Sequence, residues 1–286
     1  MRELRAAALR WLAEGRPAVV VMVGATKGSV PRETGTRMLV AADEMLGTIG
    51  GGHLELQAMA AARALLLRGG EAFEQRIALG PSLGQCCGGA LTLHFTPLAL
   101  DPPAAWPDEP ARFFLQLYGA GHVGRAVIKL LAGLPCRVQW VDERESEFPA
   151  GELPPHIEKL CLEPVQAEVA VAPPGAFFLV LTHSHALDLA LADAILRRGD
   201  FAWFGLIGSK SKRARFEHRL QERGHGAERL TRMVCPIGLP GLAGKQPEVL
   251  AVSVVAQMLQ ASSTAPPALM RAVNTAPPRS GRPGSK

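Results

Sequence analysis

Apolar positions follow different patterns in the two parts of the chain. Residues 2–14 mix apolar side chains with Glu3, Arg5, Arg10 and Glu14, which predicts an amphipathic first helix. Pro17–Ala25 is an apolar, β-branched run and predicts a buried strand. Arg37–Ala42 and Glu44–Ile49 read as short strands. Three glycines, Gly50, Gly51 and Gly52, feed a helix expected from His53 to Arg68, and Leu91–Leu98 alternates as a strand does. This first part reads as α+β.

Beyond it, strands and helices alternate. Phe113–Tyr118 is an apolar run that stops at Gly119, and Val123–Leu131 has helical spacing. Arg137–Val141 is a strand ending at Asp142. Phe177–Thr182 precedes a helix over 187–198, and Phe201–Ile207 precedes one over 210–222. Pro247–Leu259 is the final helix. That alternation implies a doubly wound parallel sheet. The fold class is therefore α/β, an N-terminal α+β domain (1–100) followed by a Rossmann-like domain (113–261). A linker over 101–112 separates them, since Asp101–Pro110 holds four prolines in ten residues. Residues 262–286, rich in Pro, Ser, Thr and Ala without apolar period, read as a disordered basic tail.

Composition narrows the function classes. The chain has 286 residues, 48% hydrophobic and 20% charged, which excludes a disordered chain, a collagen and a coiled coil. Apolar stretches such as Ala18–Val23 and Phe177–Leu181 fall far short of the ~18 residues that cross a bilayer, and the N-terminus lacks the apolar core of a signal peptide. The net charge of +5 divides as +2 over 1–100, −1 over 101–262 and +4 in the tail, so no nucleic-acid groove is implied. Five cysteines, at 86, 87, 136, 161 and 235, show no CxxC spacing. That argues against a zinc site and for free thiols in a reducing cytoplasm.

Several motifs carry chemistry. Gly119-Ala120-Gly121-His122-Val123-Gly124 follows a predicted strand and opens a helix, with Asp142 at the next strand's end. This is the context of a dinucleotide fingerprint: glycines for a tight turn and close approach to a pyrophosphate, amides at a helix start, and an acid for a ribose hydroxyl. Gly50–Gly52 run into a helix and form a second candidate anion nest; a tight turn used only for packing is the alternative. The loop from Thr26 to Met38 carries Arg32, which could pair bidentately with a phosphate or merely with Glu33. Cys86 and Cys87, flanked by Gln85, Gly88 and Gly89, suit either a sulfur relay or a soft metal, or two small buried hydrophobes. Thr182-His183-Ser184-His185 with Asp188 lies at a strand C-terminus, where ligands bind in open parallel sheets; it offers acid–base groups or a helix cap at Ser184. Gly208-Ser209-Lys210-Ser211-Lys212-Arg213 opens a helix with bases that solvent alone could satisfy.

The ordered set is what is distinctive. Gly28-Ser29-Val30-Pro31-Arg32, Gly47 to Gly52, Gln85 to Gly89, Gly119 to Gly124, Thr182 to His185 with Asp188, Ile207 to Lys210, and Pro236 to Leu239 with Gly244 and Lys245 occur in one order. In these strings the chain resembles the XdhC/CoxI family, the xanthine dehydrogenase accessory proteins, over about residues 10–260. The resemblance implies a chaperone rather than a catalyst: a protein that binds and protects the molybdenum cofactor (molybdopterin), favours its sulfurated form and helps insert it into a molybdenum hydroxylase. It implies two partners, the apo-xanthine dehydrogenase or a related hydroxylase and a cysteine desulfurase, and it is compatible with a homodimer; neither nucleic acid nor membrane is implied. Carried to matching positions, it makes Cys86 and Cys87 the thiol pair and Arg32, Gly50, Gly51 and Gly52 phosphate contacts. Gly119, Gly121, His122, Gly124 and Asp142 become the second domain's cofactor contacts. Molybdenum would stay on the pterin dithiolene, so no metal cage of protein ligands is expected. Against this stand a nicotinamide-dependent oxidoreductase built on the fingerprint with His183, His185 and Asp188, a cofactor-free assembly scaffold, and a sulfurtransferase working through Cys86 or Cys87.

Overall fold

The computed structural model describes residues 2–79, 88–107, 110–242 and 244–264. The chain divides into two compact units, Met1–Glu109 and Pro110–Lys286.

Unit 1 is an antiparallel sheet with a helix on each face. Its strands are β1 (Ala18–Lys27), β2 (Arg37–Ala41), β3 (Met45–Gly47), β4 (Phe73–Ala78) and β5 (Ala90–Pro97), in the order β3-β2-β1-β5-β4. The helices are α1 (Arg2–Ala13) and α2 (Gly52–Arg68). Central β1 is buried on both faces, and this is why its sequence is a continuous apolar run rather than an alternation. Val19, Val21 and Val23 meet Leu54, Ala58, Ala62 and Leu65 of α2, which recur at helical spacing. On the other face Ala18 and Val20 meet Leu4, Ala8 and Trp11 of α1.

The expected helices and strands of unit 1 form within a residue or two of their expected bounds, except that β3 is shorter. One strand, β4, is additional. It lies at the sheet edge with most of its side chains exposed, so it shows no apolar alternation to read. Of the segment expected as linker, residues 101–107 pack onto unit 1, and Ala111 joins the core of unit 2. Trp106 is 3% exposed in the cluster with Leu4, Ala8 and Trp11, and its indole donates to Asp101 O at 3.2 Å. A tryptophan's apolar area outweighs the surrounding prolines' tendency to make a free linker.

Unit 2 is a six-stranded parallel sheet. Its strands are β6 (Phe114–Tyr118), β7 (Arg137–Asp142), β8 (Ile157–Cys161), β9 (Phe177–Val180), β10 (Trp203–Leu206) and β11 (Met233–Val234). The order β11-β10-β9-β6-β7-β8 is that of a Rossmann sheet, with its switch point between β6 and β9. Helices α3 (His122–Leu131) and α7 (Pro247–Thr264) cover one face; α4 (His185–Arg198), α5 (Lys210–Glu222) and α6 (Ala227–Thr231) cover the other. The outer strands β8 and β11 escape the sequence pattern, one because it is a half-exposed edge, the other because it is two residues long. Helix α7 runs past Ser262 to Thr264; residues 265–286 of the expected tail lie outside the described residues.

Among the described residues, no helix is long and apolar enough to cross a membrane.

Candidate cofactor sites in the two units

In unit 1 three motif segments converge. A Cβ on Gly50 would lie 2.5 Å from the Pro31 ring, so the 28–32 loop sits directly on the glycine turn, with Gly50 at φ +128°. A Cβ on Gly89 would lie 2.3 Å from Ser29 O and 2.6 Å from Lys27 O. Gly50 is thus required by its positive φ and the Pro31 ring, and Gly89 by close backbone approach. Val30 anchors the loop against the α2-side core, and Arg32 is left exposed, as is Lys27 at the end of β1. Cys86 and Cys87 directly precede Gly88 in the chain and lie outside the described residues.

The glycine nest itself has an internal anion, so two of the amides expected to meet a phosphate, those of Gly50 and Gly51, already have acceptors within the chain. Ile49 and Gly51 donate their amides to Glu55 Oε1 at 3.0 and 2.8 Å, and the Thr48 hydroxyl donates to the same oxygen. Gly50 N donates to Thr48 Oγ1 at 3.2 Å. Burial works to raise the Glu55 pKa, but these donors outweigh it and hold the carboxyl below its ordinary range. A carboxylate one turn into α2 therefore caps the loop that precedes it. A phosphate here would compete with Glu55; Arg32, which follows the Pro31 that lies on Gly50, and Lys27 at the end of β1 are both exposed.

In unit 2 the fingerprint glycines each have a physical role. Gly119 has φ +119°, and a Cβ there would lie 2.3 Å from Leu181 O. A Cβ on Gly124 would lie 2.1 Å from Gly119 O, so α3 starts hard against the turn. Gly121 faces open space, with nothing within 4 Å of the position a Cβ would take, and no side chain caps α3. This is the geometry that leaves amides available to a pyrophosphate. His122 is exposed at the helix start. The turn is bolted to β7: Trp140 donates its indole N–H to Gly119 O at 3.1 Å, and Gly119 N donates to Val141 O at 2.9 Å.

Asp142 is where sequence and structure part. It is 5% exposed and accepts from Ala120 N at 2.7 Å, from Arg144 N and Nε at 3.0 Å each, and from Arg144 Nη2 at 3.0 Å. Burial would raise its pKa, but the Arg144 and Ala120 bonds hold it below the ordinary carboxylate value. The sequence reading gave this oxygen pair to a ribose; both are taken.

The Thr182–Asp188 group does not assemble as acid–base partners. Ser184 caps α4 by accepting from Leu187 N at 3.4 Å, and His183 and His185 are exposed. Asp188 is fully buried, with Thr182 Oγ1 donating to it at 2.7 Å and Lys212 Nζ at 2.5 Å. Lys212 also donates to Ile207 O at 2.8 Å. The expectation that the 208–213 bases are solvated holds for Lys210, which is exposed. It fails for Lys212, and Arg213 donates to Cys235 O at 3.0 Å. The Pro236–Leu239 motif is a clamp on α7: Gly238 N and O bond the Gln257 amide at 3.0 Å each, and Leu239 N donates to Ser253 Oγ at 2.7 Å.

Comparison with known proteins follows this division into units. Residues 115–258 match the model of the XdhC Rossmann domain, and residues 11–77 match that of the XdhC and CoxI family. The chain belongs to the XdhC and CoxI family. A curated relative from Escherichia coli (strain K12), the uncharacterized protein YqeB, is 30% identical over 260 residues. The match covers 89% of this chain and 45% of YqeB, so the chain spans about half that relative's length. A crystal structure from Bacillus halodurans, described as a xanthine dehydrogenase, superimposes with a TM-score of 0.70 at 17% identity, covering 91% of this chain and 96% of that one. At that identity the likeness establishes the fold.

Three groups central to these sites were not given their roles by sequence reasoning: Glu55 as nest filler, Arg144 on Asp142, and Lys212 on Asp188. An acid in the first turn of a helix after a glycine nest is a readable signal for Glu55. Arg144, two residues beyond the strand-end acid, is weaker. Nothing in sequence pairs Lys212 with Asp188, which lie on different helices.

Proposed function

We propose that this XdhC-family chain acts in the maturation of xanthine dehydrogenase or a related molybdenum hydroxylase. In this reading it holds the molybdenum cofactor, supports its sulfuration and passes it to the apo-enzyme, as a carrier without turnover of its own. A cysteine desulfurase would supply the sulfur. The observation that carries the reading is the meeting of three family segments in unit 1. Pro31 lies on Gly50 and Gly89 lies on Lys27 and Ser29, so the loop bearing exposed Arg32 and the stretch that follows Cys86 and Cys87 share one end of the sheet. Arg32 and Lys27 would meet the pterin phosphate by charge, since Glu55 holds the neighbouring amides. When bound, the cofactor itself supplies the dithiolene and molybdenum; the protein's part is to bind, orient and shield it.

The test is pterin retention. The full chain is mixed anaerobically with molybdenum cofactor, desalted, and its pterin quantified by fluorescence after oxidation. Near-stoichiometric pterin is expected, with loss in C86A/C87A. Absence of retained pterin in the wild-type protein overturns cofactor carriage.

A second reading has its own observation: the open space over Gly121 with uncapped α3 in a Rossmann strand order. It supports a dinucleotide or other pyrophosphate ligand in unit 2. The oxidoreductase version of it is weakened by the dispersal of His183, His185 and Asp188, which leaves no assembled acid–base pair among them.

A further inference from the structure

The ribose side of the unit 2 turn is closed by the protein's own arginine. Four N–H groups donate to the two oxygens of Asp142, about the capacity of a carboxylate. Two of the four come from the Arg144 guanidinium and a third from its backbone amide. That guanidinium is itself held from the other side by Glu147 Oε1 at 3.4 Å, and Glu147 Oε2 takes Arg125 Nη1 at 3.2 Å. Glu143 and Glu145 flank it in sequence. On the pyrophosphate side Gly121 faces open space: among the described residues nothing lies within 4 Å of the position a Cβ would take.

We infer that Arg144 is a specificity-determining residue that closes the ribose subsite of unit 2. The inference rests on the dinucleotide reading of this unit. A ligand can lay its pyrophosphate on the Gly119–Gly124 turn, but its ribose hydroxyls find no acceptor on Asp142 until the guanidinium leaves. Arg144 does not offer its charge to a 2′-phosphate either. Asp142 and Glu147 already share it, and the Glu143 carboxylate close by adds further negative charge against a second anion. The wild-type protein therefore discriminates against nicotinamide adenine dinucleotides, and most strongly against the 2′-phosphorylated form.

The experiment is calorimetric titration of the full chain with inorganic pyrophosphate, NAD+ and NADP+, in the wild type, R144A and D142N/R144A. Pyrophosphate, which lacks a ribose, is expected to bind all three alike. NAD+ is expected to bind R144A at least about tenfold more tightly than wild type, the gain vanishing in D142N/R144A. NADP+ is expected to bind no more tightly than NAD+ in any of them. An unchanged NAD+ affinity in R144A, a gain that survives D142N, or a wild-type preference for NADP+ overturns the role of Arg144. If pyrophosphate binds and NAD+ does not respond, the inference alone fails. If pyrophosphate binds none of the proteins, the dinucleotide reading fails and the inference with it. R144Q, which keeps a polar side chain beside Asp142, gives the same comparison if R144A does not fold.

Discussion

The two units each present a glycine turn that opens a helix, and the two turns have opposite fates. In unit 1 the turn before α2 is filled: Glu55 reaches back from the first helical turn and accepts from Ile49, Gly51 and Thr48. In unit 2 the turn before α3 is open: α3 has no acid in its first turn and no side-chain cap, and Gly121 faces space. Both have amides at a helix start and the same positive dipole. What differs is one carboxylate at the right offset. An amide nest is therefore a site only when the chain does not satisfy it first. By that criterion the unit 2 turn keeps its helix-start amides free of a side-chain cap, whereas the unit 1 amides of Ile49 and Gly51 are already engaged by Glu55.

The largest expected effect lies in the unit 2 turn. G124L forces a side chain into Gly119 O, and the cost is about 3 kcal/mol or more, enough to melt unit 2 separately from unit 1 in a thermal scan. A single unchanged transition would remove the packing role of Gly124. K212M comes next. It strands the buried Asp188 charge and should cost about 3–5 kcal/mol, while D188N/K212M recovers much of the loss by denaturant titration.

E55A breaks the comparison more directly. It should lower stability by about 1–2 kcal/mol and convert the filled nest into a vacant one. Calorimetry should then count a second equivalent of pyrophosphate where the wild type takes one. An unchanged count would show that vacancy alone does not make the nest bind.

Acid titration sharpens the same point. The folded pKa of Glu55 lies below its ordinary value of 4.5, so its contribution is full above that pH and is lost as the pH falls through the lowered pKa. E55Q, which cannot titrate there, should lose less stability than wild type over this acid range, as followed by circular dichroism. The smallest effect on stability is R32A: within about 0.5 kcal/mol by melting, because the side chain is exposed, yet with weaker pterin retention. Equal retention would make Arg32 a surface arginine only.

Much of the fold was legible from sequence because its signals are local. The continuous apolar run of β1 reflects burial on both faces, and the strand–glycine–helix order around Gly119 specifies the Rossmann turn. The edges β4, β8 and β11 were not legible, since half-exposed or two-residue strands carry no apolar period. Trp106 was lost among prolines because composition records a linker and not what a single indole packs against.

For the sites, sequence by itself determined which residue types stand at the turns and, through glycine, how closely backbone can approach there. Only the tertiary structure decided which of those groups remain available. Whether Asp142 faces a ribose or Arg144, and whether Asp188 faces solvent or Lys212, depends on side-chain direction and on neighbours supplied by other elements. A hydrogen bond between polar groups spends the same donors and acceptors that a ligand would need, and that competition is settled in space rather than along the chain.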